Sequence, residues 1–307
     1  MSDEKFWTEI VEAELAESSA NTLPPTLKLP ALPHAVTKFL ERSSDPDASL
    51  KELATIVEID TGLTVELLRH VNSAFIGLRN KAKTAQQAIA LLGMRQSKLF
   101  LISTGTKAAV QSRKSKLINQ ANFWSSNLQR ALFAREVARL LGADLDVAFA
   151  GGLLQDFLLP VLTNEFTEGY LTFLDMGDQS GTTLTAFEDQ QFGWNHAIAA
   201  AKLARRWHLP DELVCCLLFH HVGLKILADT RLRKTPVAAV ALSGMLPDQL
   251  NQDRDGLATL FRLQEKWAAF DVVTIASQVD EQQEQLGLGM NNQFPLSRRC
   301  QPAAVAS

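Results

Sequence analysis

The run Ala150-Gly151-Gly152-Leu153-Leu154-Gln155-Asp156 puts a carboxylate at the end of an apolar segment that Pro160 closes. Such a segment is expected in the core, and a buried carboxylate needs a partner. Candidates lie downstream in His196 and in the adjacent pair His220 and His221. A carboxylate meeting imidazoles drawn from different helices is how a helical bundle assembles a metal site in its core. Gln155 stands where a metal-binding version would want a second His, and an amide is a poor ligand for zinc or a transition metal.

The rest of the chain reads as helix. Ser49-Leu50-Lys51-Glu52 and Thr84-Ala85-Gln86-Gln87 match the capping box, in which the hydroxyl satisfies an early N–H and the residue three places on reaches back. Leu50, Leu53, Ala54 and Val57 share one face, as do Ala85, Ala88, Ile89 and Leu92, which is the stripe of a helix packed on a core. Residues 4–18 form an amphipathic helix with Phe6, Ile10, Val11 and Leu15 at helical spacing, and Pro24-Pro25 ends it. Further helices are expected over Leu99 to Val110, Phe123 to Gly142, about 160 to 176, and Phe187 to Trp207, with Pro210 opening the helix that carries His220 and His221. No segment alternates strictly between apolar and polar residues, so the fold class is all-α.

Two segments stand apart. The helix through Leu67 and Val71 runs into Asn72, Ser73 and Phe75; the small polar residues disfavour a helix interior, so this is either a helix end with its loop or an interaction surface. The basic stretch Gln111 to Lys116 marks a boundary. The expected organisation is an N-terminal helix and linker at 1–28, a domain at 29–230 divided into 29–115 and 116–230, a helical extension at 231–290, and a tail at 291–307 without an apolar stripe.

A net charge of -4 and a pI near 5.9 give no global field for nucleic acid or an anionic membrane. No run is read as long enough to span a bilayer, and the acidic N-terminus lacks a secretion signal, so the expected location is cytoplasmic. Three cysteines, two of them neighbours, give neither a disulfide framework nor a CxxC metal pair. Gly151-Gly152 has no nearby Lys for a phosphate loop, and Leu242-Ser243-Gly244 lacks the glycine of a nucleophile elbow.

Together, Leu29-Pro30-Ala31-Leu32-Pro33, the stretch Ser44 to Ala54, Val71-Asn72-Ser73-Ala74-Phe75, Ala88 to Gly93 and Phe192-Gly193-Trp194-Asn195-His196 resemble the HDOD family, bacterial signalling modules related to HD-domain metal-dependent phosphohydrolases. The resemblance covers about 27–225. It implies a multi-helical HD-like bundle with an N-terminal helical subdomain, and a role in signal transduction rather than established catalysis. Carried over residue by residue, the HD metal constellation is incomplete. Its first His falls at about Ser126, next to Asn127; the His of its His-Asp pair is Gln155; its Asp survives as Asp156. Side chains one apart on a helix point about 100° away from each other, so at most one of His220 and His221 is expected to face a common site. The expectation is a protein-interaction module, taking a protein partner or a small regulatory ligand, with no required cofactor and at most a residual divalent metal. The alternative is a metal-dependent phosphohydrolase or phosphodiesterase with an atypical mononuclear site.

Overall fold

The computed structural model describes residues 3–17, 23–74, 76–77, 81–177, 181–286 and 294–301, and among them there is no strand. In chain order the helices are α1 (Asp3–Glu17), α2 (His34–Arg42), α3 (Leu50–Glu58), α4 (Thr61–Val71), α5 (Ala85–Leu92), α6 (Met94–Gln111), α7 (Gln120–Leu141), α8 (Leu145–Leu154) and α9 (Leu159–Glu165). There follow α10 (Thr167–Asp175), α11 (Leu184–Phe192), α12 (His196–Arg206), α13 (Asp211–Phe219), a short 3-10 helix (Gly223–Ala228), α14 (Pro236–Ser243), α15 (Gly256–Gln264), α16 (Val272–Leu286) and α17 (Leu296–Arg299).

The helix starts follow the local chemistry of the sequence. Ser49 accepts from the Glu52 N–H, Thr84 from Gln87, Asp60 from Leu63 and Asn195 from Ile198, each satisfying a donor that the first turn leaves open. The reciprocal arm of the expected capping boxes survives in one of the two. The Glu52 carboxylate is shared between Arg42 and the Ser49 backbone N–H, whereas the Gln87 amide oxygen accepts from Lys83 N–H rather than from the cap residue.

Two apolar cores result. The smaller joins α2 to α5 through Val36, Phe39, Leu53, Leu67, Ala88 and Ile89, while the larger fills the space among α7, α8, α12, α13, α14 and α16. Helix α6 serves both, giving Leu101 to the first and Leu99, Ile102 and Val110 to the second. Fully burying a side chain such as Phe39 stabilises the fold by about 1.5–3 kcal/mol relative to leaving it exposed. Helix α1 lies on α13, with Trp7, Ile10 and Val11 in the larger core.

Several expectations shift in detail. The helix expected over about 160–176 is two helices that meet at Phe166, which takes a non-helical conformation (φ -119°, ψ 39°). The expected Phe187–Trp207 helix is also two, because Gly193 adopts a left-handed conformation (φ 77°) and Asn195 caps a fresh start. Within the tail, Leu296 and Cys300 are fully buried and α17 forms, although no periodic stripe announced it. Leu145–Glu165, 21 residues, is after all long and apolar enough to cross a membrane by composition, but 78% of its apolar window is buried within the protein.

Helix α8 sets the position of everything that follows. A Cβ on Gly152 would meet the Ala131 Cα of α7 at 2.8 Å, and one on Gly151 would meet the Cys216 Cβ of α13 at 2.8 Å. Only glycines let α8 lie this close to both neighbours, and the segment that leaves α8 delivers Asp156 between them.

Candidate metal centre

Asp156 sits in the turn after α8, with 1% of its surface exposed. His196 is the first residue of α12, His220 follows the last residue of α13, and His221 lies in the turn beyond. One ligand atom from each of these four residues falls within 4.8 Å of all the others. The expectation that only one of His220 and His221 faces the site is corrected here. It assumed a continuing helix, but α13 stops at Phe219, and the chain turn brings both imidazoles to His196.

The contacts fix which way the rings point. His196 Nδ1 lies 2.6 Å from Glu188 Oε2, and the same oxygen accepts from the His196 backbone N–H at 3.0 Å. His220 Nδ1 lies 2.7 Å from the Leu217 carbonyl. Both partners are acceptors only, so in each neutral ring Nδ1 carries the proton and Nε2 presents a lone pair. Those Nε2 atoms are 3.2 Å apart, His221 Nε2 is 2.9 Å from that of His196, and Asp156 Oδ1 is 3.4 Å and 3.3 Å from His196 and His220.

Lone pairs and a carboxylate oxygen thus converge on a point that a cation could occupy. Metal–ligand distances of about 2.0–2.1 Å give a tetrahedron with edges of roughly 3.3–3.4 Å, which matches the separations among His196, His220 and Asp156, while with His221 included the four atoms lie within 4.8 Å of one another. Asp156 Oδ1 is buried and has no hydrogen-bond partner. A carboxylate behind a ligating imidazole, as Glu188 is behind His196, fixes the tautomer and raises the basicity of the ligand. The residues fit one divalent ion. Without a metal, a proton would take the same place: burial lowers the His196 pKa, but Glu188 and Asp156 outweigh it and push it up to about 10. Burial pulls His220 and His221 down, His221 well below its usual range.

The other oxygen of Asp156 is already engaged. Arg130, on α7 and 2% exposed, donates to Oδ2 through Nη1, and Gln252 Nε2 donates to the same atom at 3.1 Å. Arg130 Nη2 reaches the Leu246 carbonyl at 2.8 Å and Asp248 Oδ2 at 3.1 Å. Burial alone would raise the Asp156 pKa; the Arg130 charge, with the His196 and His220 rings close by, holds it well below the usual carboxylate range.

The remaining expected positions have other work. Gln155 Oε1 accepts from the Ser243 hydroxyl at 3.2 Å. Ser126 and Asn127 share with Arg130 and Asp156 a cavity of about 10 Å³, the room of one water. Asn72 is used internally: its amide donates to the Ala82 carbonyl at 2.9 Å and accepts from the Ala82 N–H at 2.7 Å, closing the loop after α4. The Ser73 hydroxyl is buried without a partner, and Phe75 lies outside the described residues.

The HDOD domain pattern matches residues 29–222, nearly two thirds of the chain. The chain belongs to the HDOD family. Among solved structures it is similar to an HDOD domain protein of unknown function from Geobacter sulfurreducens, at 20% identity, TM-score 0.65, and coverage of 93% of this chain and 97% of that one. It is also similar to a Shewanella amazonensis protein named as a metal-dependent phosphohydrolase (16% identity, TM-score 0.58, 91% and 99% covered). A third, from Marinobacter aquaeolei and named as a signal transduction protein, matches at 17% identity and TM-score 0.55, over 95% of this chain and 67% of that one. An uncharacterized protein of Treponema pallidum (strain Nichols) is 24% identical over 195 residues, which are 63% of this chain and 37% of that protein. The three solved structures share the helical fold of this chain.

Sequence reasoning missed Glu188, Arg130 and Gln252. Arg130 left a trace, as the lone cation in the apolar run Leu128 to Ala134. Gln252 lies beyond the residues that match the family, yet it donates to Asp156. Arg299 holds the C-terminal extension in place, donating to the Pro247 carbonyl at 2.8 Å and to Gln129 Oε1.

Proposed function

We propose that this HDOD chain is a non-enzymatic cytoplasmic signal-transduction module, in which Asp156, His196, His220 and His221 hold one divalent ion as a structural brace. Such an ion would tie together the turn after α8, the start of α12 and the end of α13. Structural metal sites have four protein ligands, whereas catalytic ones keep a position for water or substrate. The observation that carries this reading is the engagement of Asp156 Oδ2 by Arg130 and Gln252. That oxygen is withdrawn from bridging a second ion, and a guanidinium already supplies the local positive charge. The signalling role is supported by family membership, and the output is binding to a protein partner rather than turnover.

A second reading rests on His221, the one part-buried member of the cluster. Were His221 to leave, Asp156, His196 and His220 would form a three-ligand site with a place for water, as in a mononuclear phosphohydrolase. The test is metal analysis of the purified protein together with an assay on bis-p-nitrophenyl phosphate in the presence of zinc, manganese or nickel. One ion per chain and no turnover are expected. Turnover that Asp156→Ala abolishes establishes the hydrolase instead.

A further inference from the structure

A cleft of about 470 Å³ lies between the two apolar cores, away from the metal cluster, none of whose four residues lines it. This is the size of a small-molecule site. Its walls come from α4, α6, α7 and α8, and they carry rings: His70 is stacked on Phe100 at 4.7 Å and 22°, and Trp124 and Phe149 contribute two more.

The polar groups of the cleft are unevenly satisfied. Of its acids, Asp60 caps α4, Glu66 pairs with Arg69, and Asp146 accepts from Gln96. Two donors lack an acceptor. The Trp124 indole N–H is buried, with the residue 4% exposed, and has no hydrogen-bond partner. The Lys107 ammonium lies 5.7 Å over the Trp124 ring and forms no ion pair among the described residues. Its burial also lowers its pKa, with the Glu66 charge opposing. Buried donors without acceptors are costly, and a desolvated ammonium more so. A ligand that supplies oxygen acceptors and negative charge relieves both, while its flat body stacks on the rings.

We propose that this cleft binds a small aromatic oxyanion, with Lys107 and the Trp124 indole holding the acidic headgroup and the His70–Phe100 wall taking the ring. The proposal is independent of the metal centre and of whether the chain turns over a substrate.

The test is fluorescence titration of the full chain with 1-anilinonaphthalene-8-sulfonate, an aromatic sulfonate, against N-phenyl-1-naphthylamine, its uncharged counterpart. Saturable binding of one sulfonate per chain is expected. Lys107→Gln is expected to weaken the sulfonate by about tenfold, the size of one charge-assisted contact, and to leave the uncharged probe unchanged; Lys107→Arg should restore most of the loss. Thr104→Trp, which fills the cleft, should block both probes. Melting curves identify any variant that fails to fold, and for such a variant the comparison of wild type, Lys107→Arg and Thr104→Trp still decides. Absence of saturable sulfonate binding, equal binding of the two probes by the folded wild type, or indifference to Thr104→Trp overturns the proposal.

Discussion

Arg130 and Asp156 form a buried ion pair between α7 and the turn after α8, with side-chain exposures of 2% and 1%. Removing one partner of such a pair leaves an uncompensated charge in the core, which typically costs about 3–5 kcal/mol. Arg130→Gln should therefore lower the free energy of unfolding, measured by urea titration, by an amount in that range. With chelator present so that the metal ligand role of Asp156 does not enter, the double variant Arg130→Met with Asp156→Leu should recover much of it, because apolar residues of similar volume replace buried pairs at little cost. Equal destabilisation by the single and double variants would show that packing rather than charge is what matters at Arg130.

Chelation offers a separate test of the brace. A ligand that binds only the folded state at about a hundred times its dissociation constant stabilises it by about 2.7 kcal/mol. Treating the metal-loaded protein with a chelator should lower the melting temperature, and readdition of zinc should restore it. His196→Ala should melt at the same temperature with and without zinc. If zinc still raises the melting temperature of that variant to the same extent, the ion sits elsewhere.

How much of this was legible in the sequence depends on range. Ser49 and Thr84 announced helix starts because a cap is a local event, decided within about three residues, whereas Asp60 and Asn195 cap in the same way without having been read as starts. Asp156 and the histidines stood out because charged and titratable groups in apolar surroundings have few alternatives to meeting one another. Glu188 and Gln252 were not legible, since what gives them meaning is a partner 8 or 96 residues away. Their own neighbours look like ordinary surface helix and loop. The pairing of His220 with His221 was misjudged for a related reason: nothing local reveals that α13 ends one residue before them. Asn72 was rightly marked as unsuited to a helix interior, but its use as a bracket for Ala82 depends on how the loop returns.

His70 should make the cleft acid-sensitive. Burial, with the Arg135 charge adding to it, lowers its pKa from 6.5 to about 4. Between those values the unfolded chain binds the proton and the folded chain does not, so stability is retained above about pH 6.5 and lost as pH falls toward 4. The loss has a ceiling of about 1.36 kcal/mol per pH unit across the window. Urea unfolding of wild type and His70→Gln from pH 7.5 to 4.5 should show the two diverging below pH 6.5, with the wild type falling faster. Parallel curves would mean that His70 is protonated with little penalty.

The final prediction concerns the number of ions. Restoring histidines at the two departed positions, Ser126→His with Gln155→His, would be expected from ligand counting alone to create a second metal site beside the first. Arg130 argues against it. Its guanidinium lies in the same small cavity as Ser126 and Asp156 and holds the carboxylate oxygen that a second ion would need. Placing a divalent ion beside that cation adds like-charge repulsion in a poorly solvated space. The double variant should therefore still bind one zinc per chain, as measured by elemental analysis after dialysis, whereas adding Arg130→Ala should allow a second, weaker ion. Two ions in the double variant with Arg130 intact would show that the arginine moves aside, and would return the hydrolase reading to first place.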